Sequence, residues 1–196
     1  MRHLLLAASA LAGICAAPIV AQAAPIVGQI SFGGPLSFST AGNTTSIDFG
    51  PTANVTQGTA TGSFSPGFSP GCFACAVFND FSFTGTGAVA PFQLYSATLG
   101  GLTTSFILNA VTFVAQNNNG IGAFLNLEAS GTLSLTGFDA TPGLFTFSTQ
   151  PGAQNTTVSF SATSSAVAVP EPASLLLFGA GLVGLGLARR SRARAA

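Results

Sequence analysis

Through residues 24–168 the chain alternates between apolar and polar positions. Ile26, Gly28, Ile30 and Phe32 are followed by Leu36 and Phe38, then Ile47 and Phe49, Phe81 and Phe83, Leu133 and Leu135, Phe145 and Phe147, and Val158 and Phe160. Ser, Thr, Asn or Gly fills most of the positions between them. Successive side chains of an extended chain point to opposite faces, so this pattern writes one buried and one wetted face onto each strand. Turn-forming residues punctuate it at Gly33-Gly34-Pro35, Ala41-Gly42-Asn43, Ser65-Pro66-Gly67, Asn117-Asn118-Asn119-Gly120 and Thr141-Pro142-Gly143. Helix formers are scarce, with no Lys and Glu128 as the single Glu of the span. The reading is about ten short strands. Without long helices to cover a parallel sheet, they are expected to form one all-β domain over residues 24–162. An antiparallel β-sandwich of jelly-roll or Greek-key type is the expected architecture. A span of this length buries roughly 68% of the surface its unfolded chain exposes, enough for a real core. Of the 18 phenylalanines, all but Phe178 lie in this span, and a ring without a polar handle reads first as core.

The ionisable residues of the same span are Asp48, Asp80, Glu128 and Asp139, with no Lys, Arg or His. Nucleic acid is excluded as a partner, because nothing there neutralises phosphate. Ser/His/Asp and Cys/His nucleophile systems lack their base. No phosphate-binding glycine loop occurs. A glycosidase would need two of the four acids facing each other, and their spacing does not suggest a pair. The expectation is therefore a non-enzymatic protein with no catalytic residue, metal site or cofactor.

The two ends of the chain are of another kind. Arg2 and His3 precede the apolar stretch 4–14, and Ala21-Gln22-Ala23 is a small-x-small cleavage pattern. Residues 1–23 read as a signal peptide cut before Ala24 by signal peptidase after export. At the other end, Pro170-Glu171-Pro172 leads into an uncharged run, 173–188, and then to Arg189, Arg190, Arg192 and Arg194 within the basic tail 189–196. A run without a charge or amide suits a lipid-facing helix. Its 16 residues span roughly 24 Å against a hydrocarbon core of about 30 Å, a gap that snorkelling arginines and local thinning can close. The arginines act as a membrane stop on the cytoplasmic side, and residues 163–169 read as a small, polar linker.

A secretory leader, a Pro-Glu-Pro motif, a short glycine-rich apolar helix and a terminal arginine cluster together resemble the PEP-CTERM class of bacterial exported proteins. The resemblance runs from Val169 to Arg194, with the sorting signal read as 170–196, and implies recognition of Pro170, Glu171 and Pro172 by an exosortase, an integral membrane cysteine protease. It further implies removal of the helix and delivery from a transient inner-membrane anchor to the outer surface or extracellular space. The implied host is a Gram-negative bacterium that makes exopolysaccharide or biofilm. Physically, neither proline has an N–H, so the motif stays extended and stands as a substrate.

Cys72-Phe73-Ala74-Cys75 lacks the further ligands of a structural zinc site and is read as a small disulfide. The functional expectation is a cell-surface or matrix protein associated with extracellular polysaccharide. The alternative is a carbohydrate- or calcium-binding module built around Tyr95, around clustered acids such as Asp80 with Asn79, or at the loop 117–119.

Overall fold

The computed structural model describes residues 23–117, 119, 122–152 and 158–167, and in the tail residues 179, 181, 182, 184 and 185. Among the described residues ten strands form the body: β1 Gln29–Ala41, β2 Thr44–Phe49, β3 Ala53–Val55, β4 Cys72–Phe78, β5 Phe81–Phe83, β6 Gly87–Leu99, β7 Leu102–Asn117, β8 Phe124–Leu135, β9 Thr141–Thr149 and β10 Val158–Ala166. All their pairings are antiparallel, as the alternation requires. Between β3 and β4 a 3-10 turn, Gly62–Phe64, runs into a single-turn α-helix, Ser65–Phe68.

The sheet order is β10-β9-β8-β7-β6-β4-β3-β1-β2-β5, and β10 also pairs with β1, from Gln29↔Ser165 to Leu36↔Val158. β2 and β3 lie along β1 one after the other, with Leu36↔Phe49 and Phe32↔Val55 in register. β4 and β5 do the same along β3 and β2. The ten strands therefore act as eight staves, each beside its sequence neighbour, and the eighth closes on the first. The all-β antiparallel expectation holds, with opposed walls packed across a common core. Its connectivity is a closed meander rather than a jelly roll or Greek key, because most connectors are too short to carry the chain across an end. An eight-stave barrel has an interior just wide enough for side chains to fill.

Three stretches read as turns are part of regular elements. Gly33-Gly34-Pro35 lies inside β1, where the Gly50 N–H donates to the Pro35 carbonyl at 2.8 Å. Pro35 has no N–H to return that bond, and the β2 ladder ends at this point. Thr141-Pro142-Gly143 opens β9, a position where a strand tolerates proline. Ser65-Pro66-Gly67 forms the short helix, with proline in its first turn. Residues 163–166 belong to β10, so the body extends to Ala166 and the linker expectation shrinks to 167–169.

The interior is aromatic. Phe32 of β1 lies 4.6 Å from the Tyr95 ring of β6 and 5.4 Å from Phe78 of β4, centroid to centroid. Phe145 of β9 meets Phe78 and Tyr95 at 6.2 Å and Phe106 at 5.9 Å, so rings from opposite walls touch. The Phe106 ring also covers Gly131 and Gly143, which face each other on β8 and β9, and a Cβ at Gly131 would collide with that ring and with the Ile107 carbonyl. At one end Phe64 and Phe68, one helical turn apart, are buried as a plug. It is locked where Gly28 and Gly62, both at positive φ, bring their backbones too close for any Cβ. At the other end Thr45 Oγ1 donates to Gln116 Oε1 at 2.9 Å.

Tyr95 is fully buried, and burial pushes its phenol above the ordinary value. Among the described residues neither its hydroxyl nor that of Ser164 reaches a partner at hydrogen-bonding geometry. Replacing a hydroxyl that makes no bond by hydrogen removes a desolvation cost and little else. Tyr95→Phe is expected to unfold in urea within about 1 kcal/mol of the parent and on the more stable side. Phe145→Ala, which empties the middle of the ring cluster, is expected to cost about 3–5 kcal/mol in the same titration.

Candidate functional site

Both chain ends leave the body on the same rim. The Asp139 N–H donates to the Ala24 carbonyl at 3.1 Å, and Ile26 donates to Thr141 Oγ1 at 2.9 Å. The Ala166 N–H donates to the Gly28 carbonyl at 3.0 Å and the Val167 N–H to the Pro142 carbonyl at 2.8 Å. The two ends are thereby tied to neighbouring staves. Of the expected cleavage residues, Ala23 and Ala24 are exposed just ahead of the first buried residues, and Ala21 lies outside the described residues. Pro170, Glu171, Pro172, Arg189, Arg190, Arg192 and Arg194 also lie outside them. The five described tail positions are helical. Among the described residues no helix is long and apolar enough to cross a membrane, and most of the run 173–188 is not among them.

Cys72 and Cys75 are joined by a disulfide, with Cα atoms 5.8 Å apart. Its setting was not legible from the spacing. Ala53↔Ala76 and Val55↔Cys72 are in register, so Asn54 alone faces three residues of β4 and the strand bulges outward. Asn54 Oδ1 accepts the Ala74 N–H at 2.8 Å, and Ala74 is the one described non-glycine residue at positive φ, 53°. The bridge closes this bulge and carries Phe73 on its crest, 87% exposed. A strand residue that follows the period-two rule could not stand so far out; the two cysteines flanking a phenylalanine were the available signal.

The other candidates separate. Tyr95 is in the core, and that overturns it as a sugar platform. Asp48 and Asp80 share a shallow depression of about 490 Å³ on the outer wall, among Ser37, Ser39, Ser46 and Ser82. One Asp80 oxygen is engaged, accepting the Phe49 N–H at 2.8 Å, while Asn79 Nδ2 donates to the Gln93 carbonyl at 2.6 Å. Glu128 stands on a different wall, paired in register with Phe113, and Asp139 lies by Ala24. In the loop 117–119, Asn117 Oδ1 accepts the Asn119 N–H. Among the described residues no three His, Cys, Asp or Glu side chains gather where they could hold a metal ion.

With the body's geometry in place, the tail decides the class. Residues 168–192 match the family model of the PEP-CTERM protein-sorting motif. The chain carries a PEP-CTERM sorting signal. No curated protein and no solved structure matches the chain. The PEP-CTERM signal makes this an exported protein that passes through the membrane during sorting and is processed by exosortase. It stands directly behind β10, the stave that closes the barrel, so three residues, 167–169, separate folded body from Pro170.

A bridge closing so short a loop removes little chain entropy, about 2 kcal/mol at most. The Cys72→Ser/Cys75→Ser double variant is expected to keep the barrel and to lose up to about 2 kcal/mol in urea unfolding. Reduction of the parent is expected to lower its unfolding free energy by the same amount, with a corresponding fall in the urea midpoint.

Proposed function

We propose that the mature protein is a non-enzymatic cell-surface or extracellular-matrix barrel, released from its tail at Pro170-Glu171-Pro172 and associated with the exopolysaccharide of a Gram-negative host. The observation that carries the reading is the PEP-CTERM signal placed directly behind a body without a single basic residue. The outer walls support the polymer association. Cross-strand hydroxyl pairs, Ser31 with Thr163 at 2.9 Å, Ser46 with Ser82 at 2.8 Å and Thr98 with Thr103 at 3.0 Å, present rows of donors and acceptors. Such rows can exchange water for sugar hydroxyls without charge, over a long polymer rather than at one deep pocket. The aromatic core supports a scaffolding role, since its rings occupy the space a substrate cavity would need.

The first outcome to look for is in the intact mass and C-terminal peptide of the protein from inner-membrane, outer-membrane and medium fractions of a native host. A chain beginning at Ala24 and ending within 170–172 is expected outside the inner membrane, with any added mass identifying a transferred group. Retention of residues 189–196 in all of the protein, held in the inner membrane, would overturn the reading.

A further inference from the structure

One aromatic side chain stands on the outer wall because its strand slips to put it there. Along β7 the ladder to β8 pairs Val111 with Ala129 and Phe113 with Glu128, so Thr112 is an extra residue without a partner across the ladder. Val111 is buried and Val114 packs against the core, which leaves two residues between successive inward positions where regular alternation allows one. Continuing the phase of Val111 would turn Phe113 inward; the bulge turns it outward, and its ring is 47% exposed. Beside it in register come Glu128 on β8, Thr146 on β9 and Thr163 on β10, a single row across four staves. Two residues along the same outer face, Asn126 pairs with Ser148. These six residues line a shallow depression of about 290 Å³.

We propose that this depression binds a neutral glycan, with one sugar ring stacked on Phe113 and the adjoining hydroxyls held by Glu128, Asn126 and Ser148. The proposal rests on the reading of the protein as polysaccharide-associated, and gives that association a site and a substrate class. A pyranose ring has an apolar face of C–H bonds and a rim of hydroxyls. The C–H face is weakly positive and the face of an aromatic ring is negative, so the two stack. An ionised Glu128 only accepts, and its two oxygens can take both protons of neighbouring sugar hydroxyls in charge-assisted bonds. Asn126 both donates and accepts, as do the hydroxyls of Thr146 and Ser148.

These groups are not committed elsewhere. Among the described residues no hydrogen bond engages the side chains of Asn126, Glu128, Thr146 or Ser148. Asp80, by contrast, already has one oxygen on the Phe49 N–H. From Phe113 to Thr163 the row crosses three strand spacings, roughly 14 Å, which is room for more than one ring of a polymer lying across the staves. Charge selects the polymer. The body has four acids and no Lys, Arg or His, so a uronate, sulfate or phosphate group would meet Glu128 with no cation to offset it. A neutral chain meets no such repulsion, and its binding is indifferent to salt.

The test uses the exopolysaccharide of a native host, separated by ion exchange into neutral and anionic fractions and immobilised on biosensor surfaces, with the full chain applied in detergent micelles. The parent is expected to bind the neutral fraction equally at low and high salt. Phe113→Ala is expected to weaken that binding about tenfold and Glu128→Gln to weaken it less. Phe73→Ala, which removes the more exposed ring at the disulfide bulge, is expected to leave it unchanged. The chain contains no Trp, so Phe113→Trp reports alone, and its emission is expected to move to the blue when the neutral fraction is added. That variant keeps a ring in place and carries the test should Phe113→Ala fail to fold. Full affinity in Phe113→Ala, or an unmoved emission from Phe113→Trp while the polymer binds, overturns the site and leaves the polymer association standing. Binding to the anionic fraction alone overturns the neutral-glycan assignment. Binding to neither fraction removes the association itself, and the site with it.

Discussion

Everything in this body depends on the pairing of β10 with β1. It is the one ladder that joins residues more than a hundred positions apart, Gln29 with Ser165 through Leu36 with Val158. Every other ladder of the ring lies between neighbouring staves. A meander left open would present two raw edges and an unfilled inner face, and with no charged side chain on β1 or β10 it would have no defence against pairing with another copy. Closing the ring removes the edges and encloses the phenylalanines. The same pairing fixes where the chain ends go, because the strand that completes the barrel is the strand from which the sorting tail departs.

The interior works by size rather than polarity. Rings on β1, β4, β6, β7 and β9 meet across the middle, and where two glycines face each other on β8 and β9 the Phe106 ring fills the gap. One end is stoppered by Phe64 and Phe68 and the other has the Thr45 to Gln116 hydrogen bond. The apolar stopper lies at the rim of the chain ends, so the rim from which the sorting tail departs is also the one sealed by aromatic packing.

What could be read beforehand follows from which forces are local. The period-two pattern is a property of each strand alone, and Ile30, Phe32, Leu36, Phe38, Ile47, Leu133, Phe145 and Phe147 are buried as it required. Ring closure is a property of two distant strands, and nothing in the residues of β10 names its partner. Gly-Gly-Pro at 33–35 misled because the strand tolerates a proline where the neighbouring ladder stops, a circumstance set by Gly50. Ser65-Pro66-Gly67 misled because Phe64 and Phe68, four apart, needed a helical turn to face one core. Tyr95 was weighed as the centre of a binding site because it is the one aromatic ring with a hydroxyl; packing among the core rings of other strands, which its own position does not reveal, buries it. The tail was legible because a sorting signal must be recognised as a short linear segment, whatever body precedes it.

The closure itself is the claim on which the shared rim and the processing geometry both stand. Hydrogen exchange followed by mass spectrometry on the folded body measures it directly, peptide by peptide. Amides of Gln29–Leu36 and Val158–Ala166 are expected to exchange as slowly as those of β8 and β9 and to be released together with them on global unfolding. Rapid exchange of those two segments while β8 and β9 stay protected would show an open sheet with frayed edges, and would contradict the account.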